Sequence, residues 1–356
     1  MRPATSGIPS VLARALFSRG RARWRRFLLR ALLYRPVRGM RARGRRGRAA
    51  RLGVTTLVVA NAYGRNVPPE LASFFSNVER LGAGRLRLVF VNGWASRADR
   101  DEERTVLEDL VRGMADLGWV GARAIGPVFG IRSLEPVLAP FLFPSEEAVR
   151  RFVSTAPLAP MLKPLREARI EGLALLPGGM RLPFGITEPL LGPETWQGKV
   201  IRTHASLTGE ASIRALGATP VLRAARELAA GPPPGVDGMD LHPAAVAGRN
   251  YPGWLTCNVP LWPRLLLVAG NQDSFQRLSS ANRAVLMEAA RRATAAPLRP
   301  PSPSQIDLPV SVRRVHVSEH ARTLLHDALK PIHDQLRSTA AGEKTLAYID
   351  GFLNPD

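Results

Sequence analysis

The chain has 356 residues, 45% of them apolar, a single cysteine and a formal net charge of +21. That length favours two lobes over one, the lone Cys257 rules out an intrachain disulfide framework or a cysteine-based metal site, and no apolar run reaches the ~18 residues of a membrane-spanning helix. The charge is uneven: residues 1–52 hold 16 arginines and no Asp, Glu or Lys, which leaves +5 for the remaining 304, so the overall balance does not argue for a nucleic-acid partner.

Residues 1–52 read as a disordered or mis-started basic segment, because neither an aromatic nor a heptad pattern organises the arginines. Arg30 splits its apolar stretches, so no export signal with the usual ~7–15 unbroken apolar residues is visible. Residues 55–61 (TTLVVAN) predict a buried strand. Leu71, Phe74, Phe75 and Val78 follow at helical spacing, predicting a helix over 70–81. Residues 85–92 predict a second strand, 101–112 a helix ended by Gly113, and 117–120 a third strand. This alternation argues for a parallel, helix-covered sheet.

Residues 172–176 and 265–269 predict two further strands, 208–216 and 279–294 two helices. Between the first strand and the first of those helices lies the segment 193–203. Pro193 suits the first turn of a helix and Gly198 its left-handed exit. Residues 199–203 then read as a strand that carries Arg202 on a rigid element, where its planar fork of donors matches a carboxylate. Residues 231–235 (GPPPG) and the proline-rich link 297–309 interrupt the pattern, and 318–337 and 342–352 predict terminal helices.

Five segments in constant order resemble one family. Residues 113–119 (GMADLGW), 140–143 (PFLF), 193–202 (PETWQGKVIR), 216–221 (LGATPV) and 236–240 (VDGMD) are similar to motifs of the extracytoplasmic solute-binding proteins of tripartite ATP-independent periplasmic (TRAP) transporters, the DctP-like group. The similarity runs over residues 56–352, and residues 258–264 resemble divergent actinobacterial members. The resemblance implies an α/β fold of the type II periplasmic-binding-protein kind: two lobes, a ligand cleft between them and a long bracing helix. The expected lobes are 53–178 plus 258–295 and 179–257 plus 296–356.

The resemblance also implies capture of a small organic acid for delivery to the membrane subunits of a transporter, by a periplasmic, monomeric protein that is not an enzyme and uses no cofactor. Arg202 falls on the family's carboxylate-gripping arginine, and Arg181 on the second cleft arginine of some members. Arg123 stands at a further polar contact, Asp240 in place of a frequent glutamate, and Asn61 near a cleft-lining position. Leu241 replaces a common ligand-contacting asparagine, which leaves the particular acid open. A non-exported binding or sensory module of the same fold is the alternative.

Other residues carry less. Trp94, Trp119, Trp254 and Trp262 are core or stacking residues, with Trp119 and Trp262 the better placed to meet a ligand. His316 and His320 share helical spacing but lack a third ligand, and with His326 and His333 read as solvated. His204 and His242 lie near cleft segments. No nucleophile elbow, zinc-protease motif, phosphate loop or dinucleotide fingerprint is present.

Overall fold

A computed structural model describes residues 53–62, 67–95, 101–224, 227–228, 231–247, 251–295 and 306–354. The basic segment 1–52 and most of the 297–309 link lie outside the described residues.

The first three strands, β1 (Thr55–Asn61), β2 (Leu86–Asn92) and β3 (Leu117–Gly121), are parallel, with β1 central. Two helices connect them. α1 (Pro69–Gly82) starts on a proline, where the missing N–H costs nothing, and buries Leu71, Phe74, Phe75 and Val78. α2 (Glu102–Val111) is capped by Asp101, whose carboxylate accepts the Arg104 N–H at 2.9 Å. After α3 (Glu146–Thr155), β4 (Ile170–Gly185) runs for 16 residues, far beyond the predicted 172–176, because a Gly178–Gly179 bulge lets it bend and continue.

The second group contains β5 (Val200–Thr203), α4 (Leu207–Ala215), β6 (Thr219–Leu222) and β7 (Gly238–Leu241). β5 lies parallel to both β6 and β7. β8 (Gly253–Thr256) and the ten-residue β9 (Trp262–Asn271) follow, then α5 (Ser280–Ala295), β10 (Val312–Val315), α6 (Glu319–Arg337) and α7 (Ala340–Leu353). The strands order as β2-β1-β3-β9-β4-β7-β5-β6, with β8 pairing both β4 and β10. The expected parallel sheet therefore needs correcting. Parallel pairing holds within each group of strands, but β9 is antiparallel to β3 and β4, and β4 is antiparallel to β7. Strands that pass between lobes in opposite directions pair this way without any crossover helix.

Among the described residues this layout gives two cores. One packs β1, β2 and the first half of β4 against α1 and α5, through residues such as Phe74, Phe75, Leu176 and Leu286. The other gathers Trp196, Ile201 and Ile213 with Leu325, Leu329 and Ile332 of α6. Strand β9 feeds both, with Leu266 and Val268 in the first and Trp262 in the second. The result is an α/β molecule of two lobes threaded by one antiparallel ribbon. Helices α6 and α7 brace it, packing on each other and on α4 and α3 respectively. His333 on α6 meets the Pro140 carbonyl at 2.7 Å, and burial lowers its pKa, so it is a packed residue and not the solvated one its helix suggested.

Candidate functional site

A cavity of about 710 Å³ opens where the two lobes and the ribbon meet. This volume lies in the range of small-molecule sites. From the first lobe come Glu70 at the start of α1, Glu103 on α2, and Trp119 and Arg123 at the end of β3. From the second come Arg202 on β5, His204 and Ser206 beyond it, and Leu241 and His242 at the end of β7. Arg181 of β4 and Trp262 and Arg264 of β9 complete the wall.

Arg202 sits on β5 as the sequence predicts, following a short turn over Pro193–Thr195 and a left-handed Gly198. Its side chain is fully buried. Nε and Nη2 donate to the Arg223 carbonyl at 3.1 and 2.7 Å, and Nη2 also meets His204 Nδ1 at 3.4 Å. This anchoring fixes the guanidinium before any ligand arrives, the preorganisation that lowers the cost of binding.

The bulge in β4 explains Arg181. Pairing with β9 is regular up to Pro177↔Leu265 and resumes at Met180↔Pro263 and Arg181↔Trp262. A bulge re-aims the side chains after it. Gly179 adopts φ +91°, and a Cβ there would lie 2.1 Å from His242 Nε2, so only glycine fits. Arg181 Nη1 donates to the Asp240 carbonyl and to its carboxylate, each at 3.0 Å. Asp240 is thus buried behind Arg181 and is not among the residues lining the cavity. Asn61 is likewise buried at the end of β1, donating to Asn92 Oδ1 at 2.9 Å, and does not line the cavity either.

Arg123 lies on a single turn after β3. Its Nη2 donates to Glu103 Oε2 at 2.5 Å and its Nη1 to the Ala205 carbonyl at 2.9 Å. Glu103 uses its other oxygen to accept the Gly121 N–H at 2.7 Å. The carboxylate thereby holds both the end of β3 and the arginine beside it.

Among the seven residues singled out from sequence, Arg202, Arg181, Arg123, Trp119 and Trp262 line one cavity. Trp94 is core, donating its indole N–H to Asp109 at 2.8 Å. His316 and His320 gain no companion, since the described residues hold no group of three metal-ligating side chains. Arg264 was missed. It stands two residues past Trp262, on the same face of β9, just ahead of the predicted strand 265–269.

Four arginines and two glutamates in one cavity make it cationic. The two cavity histidines respond to that field. Burial first, then Arg202, Arg123, Arg181 and Arg264, hold His204 well below the usual imidazole pKa. Burial, then Arg264 and Arg181, lower His242 to about 3. Both rings are neutral at physiological pH, and the cavity's charge comes from its arginines.

The geometry defines a class: a two-lobed α/β protein of the type II periplasmic-binding kind, with a preformed cationic cavity at the lobe junction. Residues 94–232 match the sequence model of "Bacterial extracellular solute-binding protein, family 7" (DctP). The same fold occurs in TRAP periplasmic solute-binding proteins. One from Ochrobactrum anthropi is 21% identical with a TM-score of 0.65, covering 83% of this chain and 94% of its own. One from Ralstonia eutropha, with bound (S)-2-acetolactate, is 18% identical with a TM-score of 0.68, covering 83% and 98%. One from Chromohalobacter salexigens, with bound D-glucuronate, is 17% identical with a TM-score of 0.68, covering 83% and 99%. Comparison with curated proteins gave no match.

Proposed function

We propose that this protein captures a small organic acid in the lobe-junction cavity, without transforming it, and delivers it to the membrane subunits of a TRAP-type transporter. The observation that carries the reading is the convergence of Arg123, Arg181, Arg202 and Arg264, from both lobes and the ribbon, on one cavity. Anchored guanidinium groups in a water-poor cleft bind carboxylate through charge-assisted hydrogen bonds that strengthen as water is excluded. The relatives that hold acetolactate and glucuronate, each a carboxylate, support this choice.

In this reading Arg202 grips the carboxylate, Arg181 and Arg123 flank it, Trp119 and Trp262 supply apolar walls, Asp240 sets Arg181, and Asn61 braces the end of β1. The lobes are 53–178 plus 258–295 and 179–257 plus 296–356, and the protein works as an extracytoplasmic monomer. The test is native mass spectrometry of the protein as purified, followed by calorimetry with D-glucuronate, galacturonate and acetolactate. A retained or titratable acid supports the reading; an empty protein that binds none of them overturns it.

A further inference from the structure

The contact between Arg202 and His204 fixes more than the position of a charge. A guanidinium nitrogen can only donate, so His204 Nδ1, 3.4 Å from Arg202 Nη2, must be the accepting, unprotonated nitrogen. In a neutral imidazole the proton then resides on Nε2. His204 is only part-buried, lines the cavity, and its Nε2 makes no hydrogen bond to any described residue. The ring therefore offers one N–H donor to the cavity, a ring's width from the arginine assigned to the carboxylate.

From this geometry, resting on the acid-capture reading above, we propose that His204 is a specificity-determining residue: its Nε2–H donates to an oxygen on the carbon next to the ligand carboxylate. The site then selects 2-oxo and 2-hydroxy acids over the plain acids of the same length. The neutrality of the ring is built in. Arg202, Arg123, Arg181 and Arg264 all disfavour its protonation, with Arg202 and His204 carried by the same strand end and the other three brought from β3, β4 and β9. A neutral donor suits a keto or hydroxyl oxygen, whereas an imidazolium would act as one more cation for any anion. Leu241, which also lines the cavity, has no polar side-chain group to offer a ligand.

A site that commits a polar group to a ligand atom rejects the analogue lacking it, because the group is then desolvated with nothing to bind. The test is calorimetric titration of the wild type, His204→Phe and His204→Gln with paired probes of matched chain length: butanoate against 2-oxobutanoate, lactate against propionate, and 2-oxoglutarate against glutarate. The expected result is a preference of about tenfold for the oxygenated partner in the wild type. His204→Phe should lose that preference through weaker binding of the oxygenated acid alone, and His204→Gln, which keeps a donor, should recover part of it. If a preference persists unchanged in His204→Phe, or if the wild type binds plain and oxygenated acids alike, the role of His204 is overturned while acid capture stands. If no acid in these pairs, nor the uronates and acetolactate, binds the wild type, acid capture fails and the role of His204 with it.

Discussion

Arg181 and Trp262 are register partners on the antiparallel ribbon of β4 and β9, and both face the cavity. Opposed residues in such a ribbon share a face. The strands joining the two lobes therefore also form a wall of the site, and any change in their twist moves a charged and an aromatic contact together.

Arg202→Ala and Arg202→Lys are both expected to weaken acid binding, by about 1.5–3 kcal/mol or roughly ten- to hundredfold. A lysine presents a point charge in place of a planar fork, so it does not reproduce the paired contact with the Arg223 carbonyl together with a paired contact to a carboxylate. Calorimetry, with thermal unfolding to confirm that the variants remain folded, checks this. Affinity equal to wild type in the lysine variant would remove Arg202 from the site.

Gly179→Ala should destabilise the protein by about 2–4 kcal/mol. The position has φ +91°, and the new methyl would collide with His242 Nε2 and approach Glu146 Oε1. Denaturant unfolding measures the loss. A companion His242→Ala change should relieve part of it, since it removes the colliding ring.

Glu103 and Arg123 should show strong energetic coupling. Their side chains are nearly buried, and the pair ties α2 to the end of β3 and on to Ala205. Glu103→Leu alone leaves a buried guanidinium without that carboxylate, at a cost of about 3 kcal/mol. The double variant Glu103→Leu/Arg123→Met should cost less than the two single changes combined. A double-mutant cycle by urea unfolding tests this, and strict additivity would contradict it.

The pH dependence of stability carries two opposing signatures. His242 falls from 6.5 to about 3 on folding and His204 also falls well below 6.5, so between the folded and unfolded values the unfolded chain binds more protons. The His242 contribution is complete above pH 6.5 and declines as pH falls toward 3, by up to about 1.4 kcal/mol per pH unit, and the His204 contribution changes in the same direction. Burial raises Glu135 and Glu146 above 4.5, so in the window from 4.5 to their raised values stability instead declines as pH rises. Urea midpoints of the wild type measured from pH 4 to 8 should fall below pH 6.5, and the fall should be shallower in His242→Gln. Identical slopes would show that His242 is not buried neutral.

Much of this molecule could be read along the chain. The β-branched apolar run of residues 55–61 and the helical spacing of Leu71, Phe74, Phe75 and Val78 are local signals, and β1 and α1 follow them within a residue. Arg202 was legible because Pro193, Gly198 and the short strand lie within ten residues of it. By contrast, β4 reads locally as a strand broken at its paired glycines, and only pairing with β9 and β7 carries it through to Gly185. Arg264 and the Glu103–Arg123 pair were illegible for the same reason: each depends on a neighbour from a distant element.

The sequence alone determined the α/β elements, the order of the motif segments and an arginine suited to a carboxylate, since these rest on backbone propensity and on side-chain chemistry within a few residues. Only the tertiary structure decided which charges meet. It set Asp240 behind Arg181, gathered four arginines and two histidines around one cavity, and brought His204 against Arg202. Burial and distance govern charges and proton positions, and both come into existence only when β4 and β9 bring the two lobes together.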